Sequence, residues 1–212
     1  MKKLRFIAMM LFGISLLGFN SCLNNDDDED TSLTSDEKYS CYMQVYGYHT
    51  GCVIFASDNT SSSTDTAVCS FNFSRTVQDS SYVYKMTIYG LPIRTLAYNM
   101  SSSDCKTAME EAEDITLECT IDFYSTSPVA WIINPVTPEF ELEYGGTTHT
   151  IQVPFFVNSY YSIGAYGTVS TTSSTTVKQI QMQVLAAYIY VDGSQTSLLN
   201  SYTQFYFEAN VN

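Results

Sequence analysis

The sequence predicts an all-β fold of antiparallel strands. Apolar and polar residues alternate with period two from residue 38 onward, short Gly-containing turns join several runs, and no strand–helix–strand rhythm occurs. In ITLECTIDFY (115–124), for example, Leu117, Cys119 and Ile121 alternate with polar residues. We expect about ten strands with one or two short helices, arranged as a closed barrel or, alternatively, as a β-sandwich.

The first residues predict a signal peptide. A basic start, MKKLR, precedes an apolar run over 6–19 that is too short to span a membrane. The run ends in FNSC, which resembles the cleavage motif of bacterial lipoproteins. Residues 1–21 are therefore interpreted as a lipoprotein signal peptide and Cys22 as its lipid anchor. The alternative is a plain signal peptide followed by an unrelated cysteine.

An acidic tether is expected next, over 22–37, because a block of like charges repels itself and stays extended. Five consecutive acids there resemble the surface-export signal of Bacteroidetes lipoproteins: Asp26, Asp27, Asp28, Glu29 and Asp30. We therefore expect a lipid-anchored protein of the outer membrane that faces the cell exterior. A solvated spacer without a signal is the alternative.

Charge and composition restrict the partners. A net charge of −13 excludes a general electrostatic attraction to nucleic acid, whose phosphates need Lys and Arg. A hydrophobic content of 45% is typical of a folded protein, and residues 38–212 are assigned to a single β domain. We expect contact with the membrane through the lipid, no cofactor and no metal. The oligomeric state is left open.

Five cysteines follow the predicted anchor. They are Cys41, Cys52, Cys69, Cys105 and Cys119. An exported location permits disulfides, but five cysteines form at most two, and their pairing is left open. Cys69 and Cys119 lie on apolar faces of predicted strands, which favours small buried thiols.

Two hairpins can be predicted with their register. The dipeptide GG at 145–146 would pair Leu142 with His149, which segregates apolar and polar faces consistently. The dipeptide DG at 192–193 would pair Val184 with Ser201. In the second hairpin the apolar residues change sides near 185–187, which indicates either a β-bulge or a strand covered on both faces.

Two segments carry a family resemblance. The first is YGYHTGCVIF (46–55), interpreted as a turn that leads into an apolar strand. The second is TIYGLPIRTLAYNM (87–100), a strand followed by a short helix that Pro92 begins. A further short helix is predicted from Asp104, as its N-cap, to about Glu113. With these motifs the chain is similar to an uncharacterised lipocalin-like lipoprotein family of gut Bacteroidetes. The resemblance implies a lipocalin/calycin-like barrel and no catalytic residue.

Candidate ligand-binding residues are few. The predicted register places His149 beside Leu142 on the apolar face, and together with Tyr144 and Trp131 it could line a cavity. A histidine that is hydrogen-bonded within the core or at its rim is the favoured alternative for His149. His49 is interpreted as an exposed turn residue.

Three functions follow from these patterns. The first is binding of a small apolar or glycan ligand inside the barrel, supported by the resemblance and by 17 tyrosines. The second is a structural or adhesive cell-surface module without a small-molecule site. The third is a hydrolase, which is supported only by the carboxylates of Glu139, Glu141 and Glu143 on one strand face. The same spacing is also typical of a charged face exposed to solvent. We therefore predict that the protein is not an enzyme.

Overall fold

The computed structural model describes residues 32–57, 63–101, 103–157, 160–170, 176–194 and 196–211. Within them lie two α-helices, one 3₁₀ helix and eleven strands. The helices are α1 (Ser35–Val45), the 3₁₀ helix (Ile93–Asn99) and α2 (Asp104–Glu110). The strands are β1 (Gly47–Ala56), β2 (Thr64–Gln78), β3 (Ser81–Leu91), β4 (Ile115–Thr126), β5 (Val129–Pro135), β6 (Glu139–Tyr144), β7 (Thr147–Gln152), β8 (Ile163–Ser170), β9 (Thr176–Ala186), β10 (Tyr190–Val191) and β11 (Thr203–Val211). The predicted signal peptide, Cys22 and the five consecutive acids lie outside the described residues.

Eight strands form a closed antiparallel barrel in the order β1-β11-β9-β8-β5-β4-β3-β2, and β2 pairs back onto β1. The all-β fold and the barrel are confirmed, and the sandwich is excluded. Closure pairs the two edges that an open sheet would leave exposed. The remaining strands form a small sheet in the order β10-β7-β6.

Aromatic side chains fill the interior of the barrel. Trp131 is fully buried and meets the edges of two other buried rings, Phe73 at 5.5 Å and Phe123 at 5.8 Å between ring centroids. Gly164 lies opposite Trp131 on β8, and a Cβ at Gly164 would overlap the indole. An eight-stranded barrel is just wide enough either for packed side chains or for one small ligand. Here the side chains occupy that space.

Helix α1 closes one end of the barrel and was not predicted. Its N-cap is Thr34, which forms a capping box with Glu37. Its buried residues Cys41, Tyr42 and Val45 face the barrel. The helix begins inside the segment 22–37 that the sequence assigns to the tether.

An arginine held between two tyrosine rings attaches α1 to the barrel wall. The Arg75 guanidinium of β2 lies 4.5 Å from the ring centre of Tyr39 on α1 and 4.2 Å from that of Tyr82 on β3. Lys38 adds an ion pair with Asp122 of β4 at 2.6 Å. Cation–π contacts at exposed sites contribute about 0.5–1 kcal/mol each, so this group stabilises the docked helix.

The 3₁₀ helix, α2 and the small sheet lie at the opposite end. Both helices between 91 and 113 are confirmed, although Ser103 and not Asp104 caps α2. Asn99 Nδ2 donates to Thr203 Oγ1 at 2.9 Å, which attaches the 3₁₀ helix to the start of β11. This end of the barrel carries the candidate site.

The two predicted hairpins have opposite outcomes. The hairpin at 145–146 is confirmed with its register, because Leu142 pairs with His149. The register predicted for the hairpin at 192–193 is wrong: Val184 pairs with Phe205, not Ser201. The Asp-Gly turn forms and β11 does return along β9, but four residues out of the predicted register, because β10 lies between the two strands in the chain and pairs with β7. Near 185–187 the apolar residues change sides because this end of β9 is buried on both faces: Val184, Leu185 and Ala186 are all buried.

All five described cysteines are free thiols, so no disulfide forms among them. Cys69 and Cys119 are buried, as predicted. Burial raises the pKa of the Cys69 thiol to about 12, which keeps it protonated and unreactive at neutral pH.

Candidate functional site

A pocket of about 330 Å³ lies at the end of the barrel opposite α1. Its described lining comes from β1 and the residue after it, β2, the 3₁₀ helix and α2, and includes Phe55, Ser57, Asp65, Arg94, Thr95, Tyr98 and Glu110. Phe55 and Thr95 are buried, whereas Asp65 and Glu110 are exposed. The pocket therefore has a largely apolar floor and a charged rim, and we call it the mouth pocket.

The strand register explains how an acid comes to line the mouth pocket. Asp65 pairs directly with Phe55, so the two side chains lie on the same, inward face of the barrel. Phe55 in turn pairs with Phe205, which is fully buried. The inward face thus changes from buried rings to a carboxylate where β1 and β2 reach the end of the barrel.

The 3₁₀ helix supplies the other wall. Thr95 Oγ1 donates to the carbonyl oxygen of Pro92 at 2.8 Å, which satisfies the buried hydroxyl and fixes the first turn. Arg94 and Tyr98 lie one turn apart on this helix and both line the pocket. Arg94 Nη1 forms an ion pair with Asp114.

Two of the three predicted ligand-binding residues come together on the small sheet. The rings of Tyr144 and His149 stack at 4.0 Å between centroids, and His149 is half-buried. His149 Nδ1 donates to Asp192 Oδ2 at 2.8 Å, which fixes the tautomer, since a carboxylate only accepts. This hydrogen bond lowers the pKa of Asp192, which also accepts from the backbone N–H of Thr150.

Tyr144 also connects this stack to α2. The Cys105 thiol of α2 lies close enough to the Tyr144 hydroxyl that each group shifts the pKa of the other. Burial, together with this neighbouring thiol, raises the pKa of Tyr144 to about 12. Because α2 carries Glu110, the stack positions one side of the mouth pocket without lining it.

The third predicted residue, Trp131, lies elsewhere, in the filled interior of the barrel. Among the described residues its Nε1 has no hydrogen-bond partner. His49 is not an exposed turn residue, so that interpretation is wrong. It lies half-buried on β1, and its Nε2 donates to the carbonyl oxygen of Val45 at 2.9 Å.

The three glutamates of β6, Glu139, Glu141 and Glu143, are exposed. Gln152 Nε2 donates to Glu139 Oε2 at 2.8 Å across the hairpin. Within the described chain, no three His, Cys, Asp or Glu side chains are grouped so that they could hold a metal ion.

A row of aromatic rings marks the outer surface near β9 and β10. Phe156 lies 5.1 Å from Tyr161 and 6.0 Å from Tyr188, and Tyr188 stacks on Tyr190 at 5.7 Å. We call these four residues the aromatic row. Tyr161 and Tyr188 are both more than 40% exposed.

The fold and the mouth pocket define a class: a small closed antiparallel β-barrel with a filled interior and a pocket at one end. The chain belongs to the family DUF4840, a domain of unknown function, which it matches over residues 44–191. No curated protein matches the chain. In the described part of the chain, none of the helices has the length and apolar character needed to cross a membrane.

Sequence reasoning missed the mouth pocket. Arg94, Thr95 and Tyr98 all lie in TIYGLPIRTLAYNM, a segment that was interpreted as purely structural. The available signal was an arginine and a tyrosine spaced one turn apart in a short helix. Phe55 lies far before them in the sequence, and Glu110 lies on the next helix.

Proposed function

We propose that the protein is a lipid-anchored cell-surface protein that binds a small ligand of mixed polarity in the mouth pocket. The proposal assigns no reaction to the protein and no cofactor. It places the ligand at the end of the barrel and not in its interior, because aromatic side chains fill the interior.

The mouth pocket is the observation that carries the proposal. Small-molecule sites are concave, have volumes of roughly 300–1,000 Å³, and combine apolar surface with a few polar groups. The mouth pocket has about 330 Å³, an apolar floor at Phe55 and polar groups at its rim. A volume of this size suits a ligand of one ring with a short polar substituent.

A thermal-shift screen against lipid headgroups, monosaccharides and small aromatic amines and alcohols tests ligand binding. A specific ligand raises the melting temperature, and the shift grows with the logarithm of the ligand concentration above the dissociation constant. Tyr98→Ala should abolish the shift, since it removes one wall of the pocket. Tyr124→Ala is the matched control, because Tyr124 is 38% exposed against 39% for Tyr98 and lies on β4 outside the pocket. Equal shifts in both variants would contradict the proposed site.

The lipid anchor and the location rest on the leader sequence. The order of basic start, apolar run and small residue before Cys22 supports lipidation, and the following acids support export. Metabolic labelling with a fatty-acid analogue should label the wild-type chain and not Cys22→Ala. Protease added to intact cells should degrade the wild-type protein if it faces the exterior. Protection from the protease would contradict surface exposure.

The aromatic row supports a second candidate, an adhesive surface module that binds a glycan. Tyrosine offers a ring face for stacking on sugars and a hydroxyl for hydrogen bonds. Affinity electrophoresis in gels that contain neutral polysaccharides would retard the wild-type protein and not Tyr188→Ala. Tyr202→Ala is the control, since Tyr202 is 58% exposed and lies outside the row. Unchanged migration in every gel would eliminate this candidate.

A further inference from the structure

We propose that the ligand of the mouth pocket is an organic cation, a protonated amine with a small apolar body. This inference rests on the proposed function and specifies its ligand. It follows from the charged side chains that line the pocket and from the aromatic rings of Phe55 and Tyr98 in the same lining.

The charge balance of the pocket is negative. Arg94 is the one cation among the described lining residues, and its guanidinium is already engaged by Asp114. Asp65 and Glu110 are the lining carboxylates. Asp65 accepts a hydrogen bond from the backbone N–H of Thr66 at 2.7 Å. Among the described lining residues, the ion pair leaves the two rim carboxylates without a cationic partner.

An anion is therefore disfavoured at this rim and a cation is favoured. A cation at the rim is attracted to the two carboxylates and an anion is repelled by them, and dissolved salt screens both effects. Phe55 also lines the pocket and is only 7% exposed. A ligand that matches both features carries its positive charge at one end and an apolar group at the other.

Tyr98 adds a second contribution to cation binding. A ring face attracts a cation within about 6 Å through its quadrupole, and Tyr is among the better rings for this contact. Tyr98 lines the pocket and is 39% exposed, so its ring is accessible to a ligand. The same chemistry already operates elsewhere in this chain, where Arg75 lies between Tyr39 and Tyr82.

Three probes of similar shape and different charge test the inference. They are 2-phenylethylamine, 2-phenylethanol and 3-phenylpropanoate, titrated into the full chain by calorimetry at low ionic strength. The amine should bind at least about tenfold more tightly than the alcohol, and the carboxylate more weakly than the alcohol. Raising the salt concentration should weaken binding of the amine and leave that of the alcohol nearly unchanged.

Variants of the rim assign the effect to named groups. Glu110→Gln and Asp65→Asn should each lower the affinity for the amine several-fold and leave that for the alcohol unchanged. Glu111→Gln is the matched control, because it removes the next carboxylate along the chain, which does not line the pocket. Both rim side chains are exposed, so circular dichroism should show that the variants remain folded.

The outcomes separate the two proposals. If the alcohol or the carboxylate binds as tightly as the amine, the inference of a cation is overturned while the mouth pocket stands as a binding site. Binding of none of the three probes would count against both. If Glu111→Gln weakens amine binding as much as Glu110→Gln, general surface charge is responsible, and the assignment to the rim is overturned.

Discussion

Replacing Gly164 with alanine should destabilise the barrel by forcing a methyl group into Trp131. The Cβ would overlap the indole atoms Cε2, Nε1 and Cζ2, and the indole cannot retreat, since it packs against Phe73 and Phe123. Overpacking of this kind costs about 1–3 kcal/mol. Part of that cost is offset, because Gly→Ala stabilises by about 0.4–1 kcal/mol through the unfolded chain.

Gly167→Ala on the same strand is the matched control. A Cβ there would meet only Pro128 Cβ, at 3.7 Å, which is an ordinary contact. Urea unfolding followed by circular dichroism should show Gly164→Ala less stable than Gly167→Ala by about 1–3 kcal/mol. Adding Trp131→Phe should relieve the overlap, so the double-mutant cycle should give a favourable coupling of about 1 kcal/mol or more. Equal stability of the two alanine variants would refute the filled interior.

Three further predictions concern charged groups. Arg75→Ala should lower the free energy of unfolding by about 1–2 kcal/mol, mainly through loss of its two closest cation–π contacts, to Tyr39 and Tyr82. It should also speed hydrogen exchange in α1, whereas Lys85→Ala, an exposed control, should change neither quantity. Asp192→Asn should remove stability that the wild type holds in full above the ordinary carboxyl pKa of 3.8. The stability difference between the two proteins should shrink as the pH falls from 3.8 through the lowered pKa that Asp192 has in the folded state. Burial raises the pKa of Glu208 and penalises its ionised form. Glu208→Gln should therefore stabilise the protein at pH 7 by less than about 1 kcal/mol, and it should have no stabilising effect at pH 3, where the carboxyl is protonated.

Each of these has a result that would contradict it. Unchanged exchange in α1 after Arg75→Ala would show that the cation does not hold the helix. A stability gap for Asp192→Asn that stays constant from pH 7 to about pH 2 would show that ionisation of Asp192 contributes nothing. A loss of stability in Glu208→Gln at pH 7 would mean that its carboxylate has a favourable partner.

The strands were predictable where one face of the sheet meets the filled interior. On β4 the residues Leu117, Cys119, Ile121 and Phe123 are all buried, as their alternation predicts. The GG hairpin was predictable for the same reason, because a one-residue slip would move Ile151 from the core to the opposite face of the sheet.

Partners distant in sequence were not predictable by the same reasoning. Asp192 and Gly193 form a turn with positive φ angles, as the dipeptide predicts, and β11 pairs with β9, yet the turn residues do not specify the register of that pairing. Tertiary contacts with β7 decided the pairing of β10. Helix α1 was not predicted, although Thr34 and Glu37 have the spacing of a capping box. The acidic run that precedes the helix favours an extended chain, and the prediction extended the tether through residue 37.

The candidate site was the least predictable part. Tyr144 and His149 do meet, as the hairpin register implies, but they brace α2 and do not line the mouth pocket. The pocket itself joins residues from β1, β2, the 3₁₀ helix and α2, and no local pattern relates them. Barrel closure and the docking of two short helices bring them together.

Chemical-shift mapping on the ¹⁵N-labelled chain tests the central claim most directly. On titration with 2-phenylethylamine, we predict that shifts concentrate at the backbone amides of Phe55, Thr95, Tyr98 and Glu110. Shifts confined to the aromatic row around Tyr188, or no shifts at all, would contradict a ligand site at the mouth pocket.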